Sequence, residues 1–364
     1  MKTAIIYGEF IGKSSTGIAY VNTNLKEVLK ELGYEIKTID EPRSNEYSSY
    51  SGTIKRKPNL FLFTKLIFRI LRNKKNDVSF ITISMSNLGL IKTFLIQSLL
   101  FNKSYKLYLY IHRGDLSDHY KKSYFKKFII NKILKKSFKI ILLSNKFINS
   151  LSLKNFRNKV LVIPNSLSKK DCEISYQLYK DKLNSYIHNP KIINFIFSGN
   201  IQKEKGIHNI ITSIKNYNKT SGSFKIKLDI YGMKFEEIEY SDHYINYKGK
   251  LKNDIRLKVM SKYDFFISAS ITEGLPITLI ECMAIGLPFI TTKVGAVEDL
   301  LIDNYPYISN SDSESILLTI NKALRDLIEN RIFINNLISS NNNLFQKKFK
   351  YGNYFNCIKK LLNE

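Results

Sequence analysis

Cysteine is scarce in this chain. The three present, Cys172, Cys282 and Cys357, are far apart and form no C-x-x-C pair. An odd, scattered set supports neither a disulfide framework nor a zinc site, and it fits a reducing compartment. No Cys/His finger or single-strand-binding aromatic motif is present, so the usual marks of a nucleic-acid-binding protein are missing. Long apolar runs are missing as well. No window of about 18 residues is both apolar and uncharged, so no transmembrane helix is expected. The opening Met1-Lys2-Thr3-Ala4-Ile5-Ile6-Tyr7-Gly8 has too short an apolar run for a signal peptide. These absences predict a cytoplasmic protein. Acidic residues are few, 31 Asp and Glu against 57 Lys and Arg, for a net charge of +26. From Lys55 to Lys75 there are eight basic residues and no acidic one. From Lys103 to Lys146 there are twelve, against Asp115 and Asp118.

What is present points to a folded chain of two domains. A length of 364 residues exceeds one ordinary core, and 44% hydrophobic residues support globular structure throughout. Both basic stretches interleave charge with bulky apolar residues, as in Tyr124-Phe125-Lys126-Lys127-Phe128-Ile129-Ile130. That pattern suits an anionic membrane surface, at about 1 kcal/mol per basic residue near the surface. Nucleic acid would be drawn by the same charge, but no motif supports it and it is not expected as a partner.

Strand and helix patterns alternate. Residues 3–7 read as a buried strand. Val21, Leu25, Val28, Leu29 and Leu32 then recur at helical spacing up to Gly33, and Glu35–Asp40 is the next strand. This βαβ opening predicts a doubly wound parallel sheet. Further strands are expected at 78–83, 106–111, 140–143 and 160–163, with helices over 60–72, 87–101 and 120–136. Gly8-Glu9-Phe10-Ile11-Gly12-Lys13-Ser14 imitates a P-loop, but it has three residues between its glycines where the motif needs four. A polar segment from about Ser168 to Pro190 reads as a linker. Residues 192–197 begin a second set of strands, continued by Leu228–Tyr231 and Phe265–Ser268.

The densest local signal follows that last strand. Ser268-Ala269-Ser270-Ile271-Thr272-Glu273-Gly274-Leu275-Pro276 leads into an apolar helix from Pro276 to about Ile285, closed by Gly286 and Pro288. Strand, polar turn and helix aim free backbone N–H groups at a phosphate. Glu273 lies in the turn, and Glu281 lies inside the helix among apolar neighbours.

Glu273-Gly274-Leu275-Pro276 followed by Glu281 resembles the E-x7-E signature of retaining, nucleotide-sugar-dependent glycosyltransferases of family four. Other elements resemble that family in order. Ser198-Gly199-Asn200-Ile201-Gln202-Lys203-Glu204-Lys205-Gly206 is similar to its "G-R-x4-K-G" element, with Asn200 where the family has arginine. Ile163-Pro164-Asn165-Ser166 is similar to its "P-N-G", with serine for glycine. Gly295-Ala296-Val297-Glu298-Asp299 is a changed form of "G-G-x-P-E". His112, following a strand, is similar to the histidine the family directs at the donor sugar.

The resemblance implies an α/β protein of the GT-B fold, two Rossmann-like domains with parallel sheets facing across a cleft. The domains would be 1–165 and 191–344, joined by a linker over 166–190, with a C-terminal helix over 345–364 packing back on the first. It implies a retaining glycosyltransferase, and the basic, aromatic-bearing first domain adds the expectation of a role in cell-surface polysaccharide assembly at the inner membrane face. Its substrates would be a UDP- or GDP-linked sugar and a glycan or lipid-linked acceptor. Glu273, Lys205 and His112 would serve catalysis. Lys205, Ser270 and the backbone of Gly274, Leu275, Pro276 and Ile277 would take the diphosphate. Glu281 would take the ribose, with Gly199, Asn200 and Gly17 lining the donor site. No cofactor is implied, and without a D-x-D pair no metal. Two rivals remain: a GT-B-fold sugar-nucleotide epimerase, and a basic nucleic-acid-binding protein with no use for Glu273 or Glu281.

Overall fold

A computed structural model describes residues 2–11, 16–40, 64, 67–68, 70, 75–149, 151–184, 191–221, 224–238 and 242–364. Gly12, Lys13 and Ser14 of the P-loop imitation lie outside these residues, as does most of the helix expected over 60–72. The described residues fall into two compact units. One runs up to Ser166 and includes Tyr354–Glu364; the other is Leu167–Asn353.

The first unit holds strands β1 (Lys2–Gly8), β2 (Tyr34–Asp40), β3 (Asn76–Thr82), β4 (Ser104–Ile111), β5 (Lys139–Leu142) and β6 (Val160–Val162). They form one parallel sheet in the order β2-β1-β3-β4-β5-β6. The last five residues of β1 and of β4 are all buried, the continuous run expected where helices cover both faces. Helices α1 (Gly17–Glu31), α2 (Asn87–Phe101), α3 (Leu116–Lys122) and α4 (Tyr124–Lys136) accompany the sheet. Ile5, Tyr7, Ile81, Ile96 and Leu107 form one core cluster, and Leu90, Leu109, Ile130, Ile133 and Leu142 belong to another. The helix read over 120–136 is broken at Ser123, whose backbone is extended and whose Oγ accepts from Lys126 N at 3.2 Å. Serine competes for backbone donors and favours such a cap over a helix interior.

The second unit opens with helix α5 (Lys169–Asn184), where the sequence suggested a linker. Ser175 is its one buried residue, and its apolar Ile174, Leu178 and Leu183 are only half-buried, alongside Cys172, Tyr179 and Lys182, so no fully buried apolar stripe revealed it. Strands β7 (Ile192–Ser198), β8 (Lys225–Tyr231), β9 (Ile245–Gly249), β10 (Phe265–Ile267), β11 (Phe289–Thr292) and β12 (Ile308–Ser309) follow. They make a parallel sheet in the order β12-β11-β10-β7-β8-β9. From β7 the chain builds outward through β8 and β9, then returns to β7's other side with β10. That reversal is the Rossmann switch point, where ligands bind beyond the strands' carboxyl ends. Helices α6 (Ile207–Thr220), α7 (Arg256–Met260), α8 (Ile277–Ile285), α9 (Ser313–Glu329) and α10 (Arg331–Lys348) complete the unit.

The C-terminal helix differs from the expected 345–364. Helix α10 ends at Lys348 and α11 (Tyr351–Asn363) follows, with only Tyr354–Glu364 grouping with the first unit. There Tyr108 Oη donates to Leu361 O at 3.4 Å and Lys139 pairs with Glu364 at 3.2 Å. Helix α10 stays with the second unit because the Asn342 amide donates to Met283 O and Ala284 O, at 3.2 and 3.0 Å.

Candidate active site in the second unit

Two strand exits meet at the switch point. After β7 comes Gly199, whose N–H donates to Tyr231 O at 3.0 Å, then the half-buried Asn200. A short 3-10 turn, Lys203–Lys205, ends at Gly206, and α6 begins behind it. Gly206 has φ of +67°, and a Cβ there would stand 2.2 Å from Ala269 O. Only glycine meets both demands. Lys205, just before it, is thereby held against the loop after β10, and Ile271 N donates to Glu204 O at 2.9 Å to tie the two loops.

The ionised groups gather between those loops. Lys205 Nζ donates to Glu273 Oε1 at 2.6 Å, and Ser270 Oγ donates to the same oxygen at 2.7 Å. Ser268 Oγ lies 3.3 Å from Ser270 Oγ, and Thr292 Oγ1 donates to Ser270 O at 2.6 Å. The Lys205 and Glu273 side chains are 25% and 16% exposed, so the pair is largely desolvated yet reachable. Charge-assisted bonds in such surroundings are short and strong. Gly295, with φ of +57°, packs under the loop, and a Cβ there would come within 1.9 Å of Glu273 O. Ala296 N donates to Gly274 O at 3.0 Å. The segment of changed motif positions is therefore a backbone clamp on the loop that carries Glu273.

Helix α8 starts directly after this clamp. Pro276 is its N-cap and supplies no side-chain hydrogen bond to the first turn. The positive end of the helix, with Gly274, Leu275, Pro276 and Ile277 around it, therefore has no capping side chain from its own N-cap, an arrangement that suits an anion. Gly286, with φ of +70°, ends the helix.

Glu281 lies one turn further in and is fully buried. Its Oε1 stands 2.5 Å from Arg256 Nη2, and Arg256 Nη1 donates to Asn253 Oδ1 at 2.9 Å. Burial pushes the Glu281 carboxyl up to about 7, against the opposing pull of Arg256, while Asp171 on α5 adds to the rise. Arg256 belongs to no motif, and nothing in the sequence marked it.

His112 and Gly17 lie in the first unit. Gly17 is exposed at the start of α1, behind the Thr16 cap. His112 follows β4 and is 8% exposed, its ring stacked on Tyr110 at 4.4 Å between centroids. Neither ring nitrogen has a hydrogen-bond partner among the described residues. Burial drives its pKa down to about 3, so the imidazole is neutral in the working range. Among the described residues no group of three or more His, Cys, Asp or Glu side chains is gathered to hold a metal.

Residues 180–339 match the family described as glycosyl transferases group 1. Lys205, Ser270, Glu273, Glu281 and Arg256 fall inside the matched residues, and His112 and Gly17 fall outside. An uncharacterized glycosyltransferase of Methanocaldococcus jannaschii is 26% identical over 378 aligned positions, covering 99% of this chain and 96% of the relative. The sucrose-phosphate synthase of Thermosynechococcus elongatus superposes with a TM-score of 0.70 at 13% identity, covering 100% of this chain and 98% of that one. Anabaena HepE, in complex with UDP and glucose, superposes with a TM-score of 0.66 at 13% identity, with 99% of each chain covered. The fold is GT-B, two Rossmann-like α/β units with parallel sheets. The family match and the relative support glycosyl transfer.

Proposed function

We propose that this protein transfers a sugar, with retention at the anomeric carbon, from a UDP- or GDP-linked donor to a glycan or lipid-linked acceptor. The observation that carries the reading is the convergence of Lys205, Ser270 and Glu273 at the β7 and β10 strand ends, before the uncapped start of α8. In the transfer, the bond from C1 of the sugar to the diphosphate oxygen breaks and a bond from C1 to the acceptor oxygen forms. The acceptor's proton leaves with the diphosphate. Negative charge grows on the leaving group, where the Lys205 ammonium, the Ser270 hydroxyl and the N–H groups of α8 stabilise it. Positive charge grows on the sugar ring, beside the Glu273 carboxylate. Glu273 also holds the Lys205 ammonium in place before any donor arrives. Glu281 accepts from the ribose hydroxyls. The structural relative with UDP and glucose supports a nucleotide-sugar donor.

Nucleoside diphosphate release from UDP- and GDP-sugars in the presence of lipid-linked glycan acceptors tests this reading, with product configuration read by NMR. Lys205→Met and Glu273→Gln should fold and lose roughly 100-fold or more in turnover, the scale of one lost transition-state donor. Unchanged turnover in both variants, or an inverted product, would contradict the reading.

The acceptor side supports a membrane setting. Tyr124, Phe125 and Phe128 on α4 are 88%, 46% and 61% exposed, with exposed Lys121, Lys122, Lys127, Lys132 and Lys135 around them. No acidic residue occurs from Tyr120 to Lys139. Such a face suits insertion of aromatic rings at an anionic headgroup layer. A cytoplasmic enzyme lying on the inner membrane surface would meet lipid-linked acceptors there. Among the described residues no helix is long and apolar enough to cross the membrane.

A further inference from the structure

The pairing of Glu281 with Arg256 is not accounted for by any motif. A carboxylate with no exposure is costly unless paired, and breaking such a pair is costlier than replacing it. The Arg256 guanidinium stands against Oε1, and Oε2 has no hydrogen-bond partner among the described residues. The two side chains differ in access. Arg256 is 12% exposed and Glu281 1%, so an incoming ligand meets the guanidinium first. Asn253, in the turn before α7, accepts from the guanidinium's Nη1. Helix α10, packed on the far side of α8, offers amides there, through Asn342. The charged groups acting on Glu281 are therefore Arg256 from α7 and Asp171 from α5.

A vicinal diol needs both kinds of partner, because each hydroxyl donates one hydrogen and accepts through its lone pairs. A carboxylate alone serves only the first need. We infer that Arg256 is a further nucleotide-binding residue, acting with Glu281 as a donor–acceptor pair for the ribose diol of the donor's nucleotide. The guanidinium donates to the diol oxygens, and Oε2 of Glu281 accepts from a diol hydroxyl once Arg256 shifts toward the ligand. The inference rests on the proposed nucleotide-sugar reading and assigns a residue of this chain to one part of that ligand.

The test is a chemical double-mutant cycle by calorimetry. UDP and GDP are each compared with their 2′,3′-dideoxy analogues on the wild type, Arg256→Lys, Arg256→Met, and Arg256→Met combined with Glu281→Gln. The double variant leaves no unpaired buried charge, so it keeps the test valid if Arg256→Met alone unfolds. Wild type should prefer the diol by roughly 10- to 100-fold, the worth of charge-assisted bonds. Arg256→Lys should keep part of that preference, and the double variant should lose it while binding the dideoxy analogue as before. Loss of affinity for both nucleotide forms alike would show Arg256 to be structural and overturn the inference. A wild type indifferent to the diol would also overturn it and leave the diphosphate reading standing. A wild type that binds neither nucleotide would remove the diphosphate reading and the inference with it.

Discussion

Single residues carry the chemistry, and their burial sets how they respond to pH. His112 keeps a pKa near 3 when folded against an ordinary 6.5, so below pH 6.5 only the unfolded chain takes up its proton. It therefore withdraws stability as pH falls from 6.5, by about 2 kcal/mol at pH 5. Glu281 acts in the opposite sense. Its folded value of about 7 lies above the ordinary 4.5, so it adds stability as pH falls between those values. The two oppose each other from 4.5 to 6.5. Thermal melts of His112→Gln at pH 7.5 and pH 5 should accordingly show a smaller acid loss than wild type, and an equal loss would show His112 to be solvated. Lys205, Ser270 and Glu273, singled out in the sequence as candidates, do come together in the fold. The clamp by Gly295 was only half visible, since its neighbours depart from the family pattern. It rests on a close backbone approach, where a Cβ on residue 295 would stand 1.9 Å from Glu273 O, that residue types do not encode. Gly295→Ala should cut turnover more than Ser270→Ala does, because it displaces the whole Glu273 loop. A kcat for Gly295→Ala matching wild type would refute the clamp.

At the scale of elements, strands were read well and helix limits less so. Buried parallel strands announce themselves as runs of isoleucine and phenylalanine, as in Ile192–Phe197 of β7, a strand whose register with β8 is unbroken over the seven residue pairs from Ile192 to Ser198. Helix α5 gave no such signal, because Ser175 is its one buried residue and its Ile174 and Leu178 are only half-buried. Its Lys182 reaches the end of α7. Its ammonium donates to Tyr263 O at 2.5 Å and to Ser261 O at 3.5 Å, the carbonyls just past the end of α7. Burial lowers its pKa, and Asp264 opposes the shift. Replacing it by methionine strands those carbonyls and should cost about 1–3 kcal/mol. Chemical denaturation should show that loss, and a variant within error of wild type would mean that α5 is held by packing alone. The break at Ser123 follows from a local cap that outcompetes the helical pattern around it. Ser123→Ala should cost about 1 kcal/mol and fray the start of α4.

For the whole molecule, two doubly wound sheets could be read from the alternation of strands and helices, but the strand order could not. The switch point between β7 and β10 comes from pairing that lies beyond local pattern, and it is what brings two distant loops to one place. The net charge of +26 acts at this scale too. The protein should sediment with anionic vesicles and be released by salt, and Tyr124→Ser with Phe128→Ser should weaken that binding. Equal recovery in the supernatant with neutral and anionic vesicles would end the membrane proposal. The measurement that bears most directly on the central claim is calorimetric titration of wild type and Lys205→Met with UDP and GDP. Saturable binding of one nucleoside diphosphate by the wild type, weakened roughly 10-fold or more in a folded Lys205→Met, is the predicted result. Binding of neither nucleotide at millimolar concentration, or equal affinity in the two proteins, would contradict it.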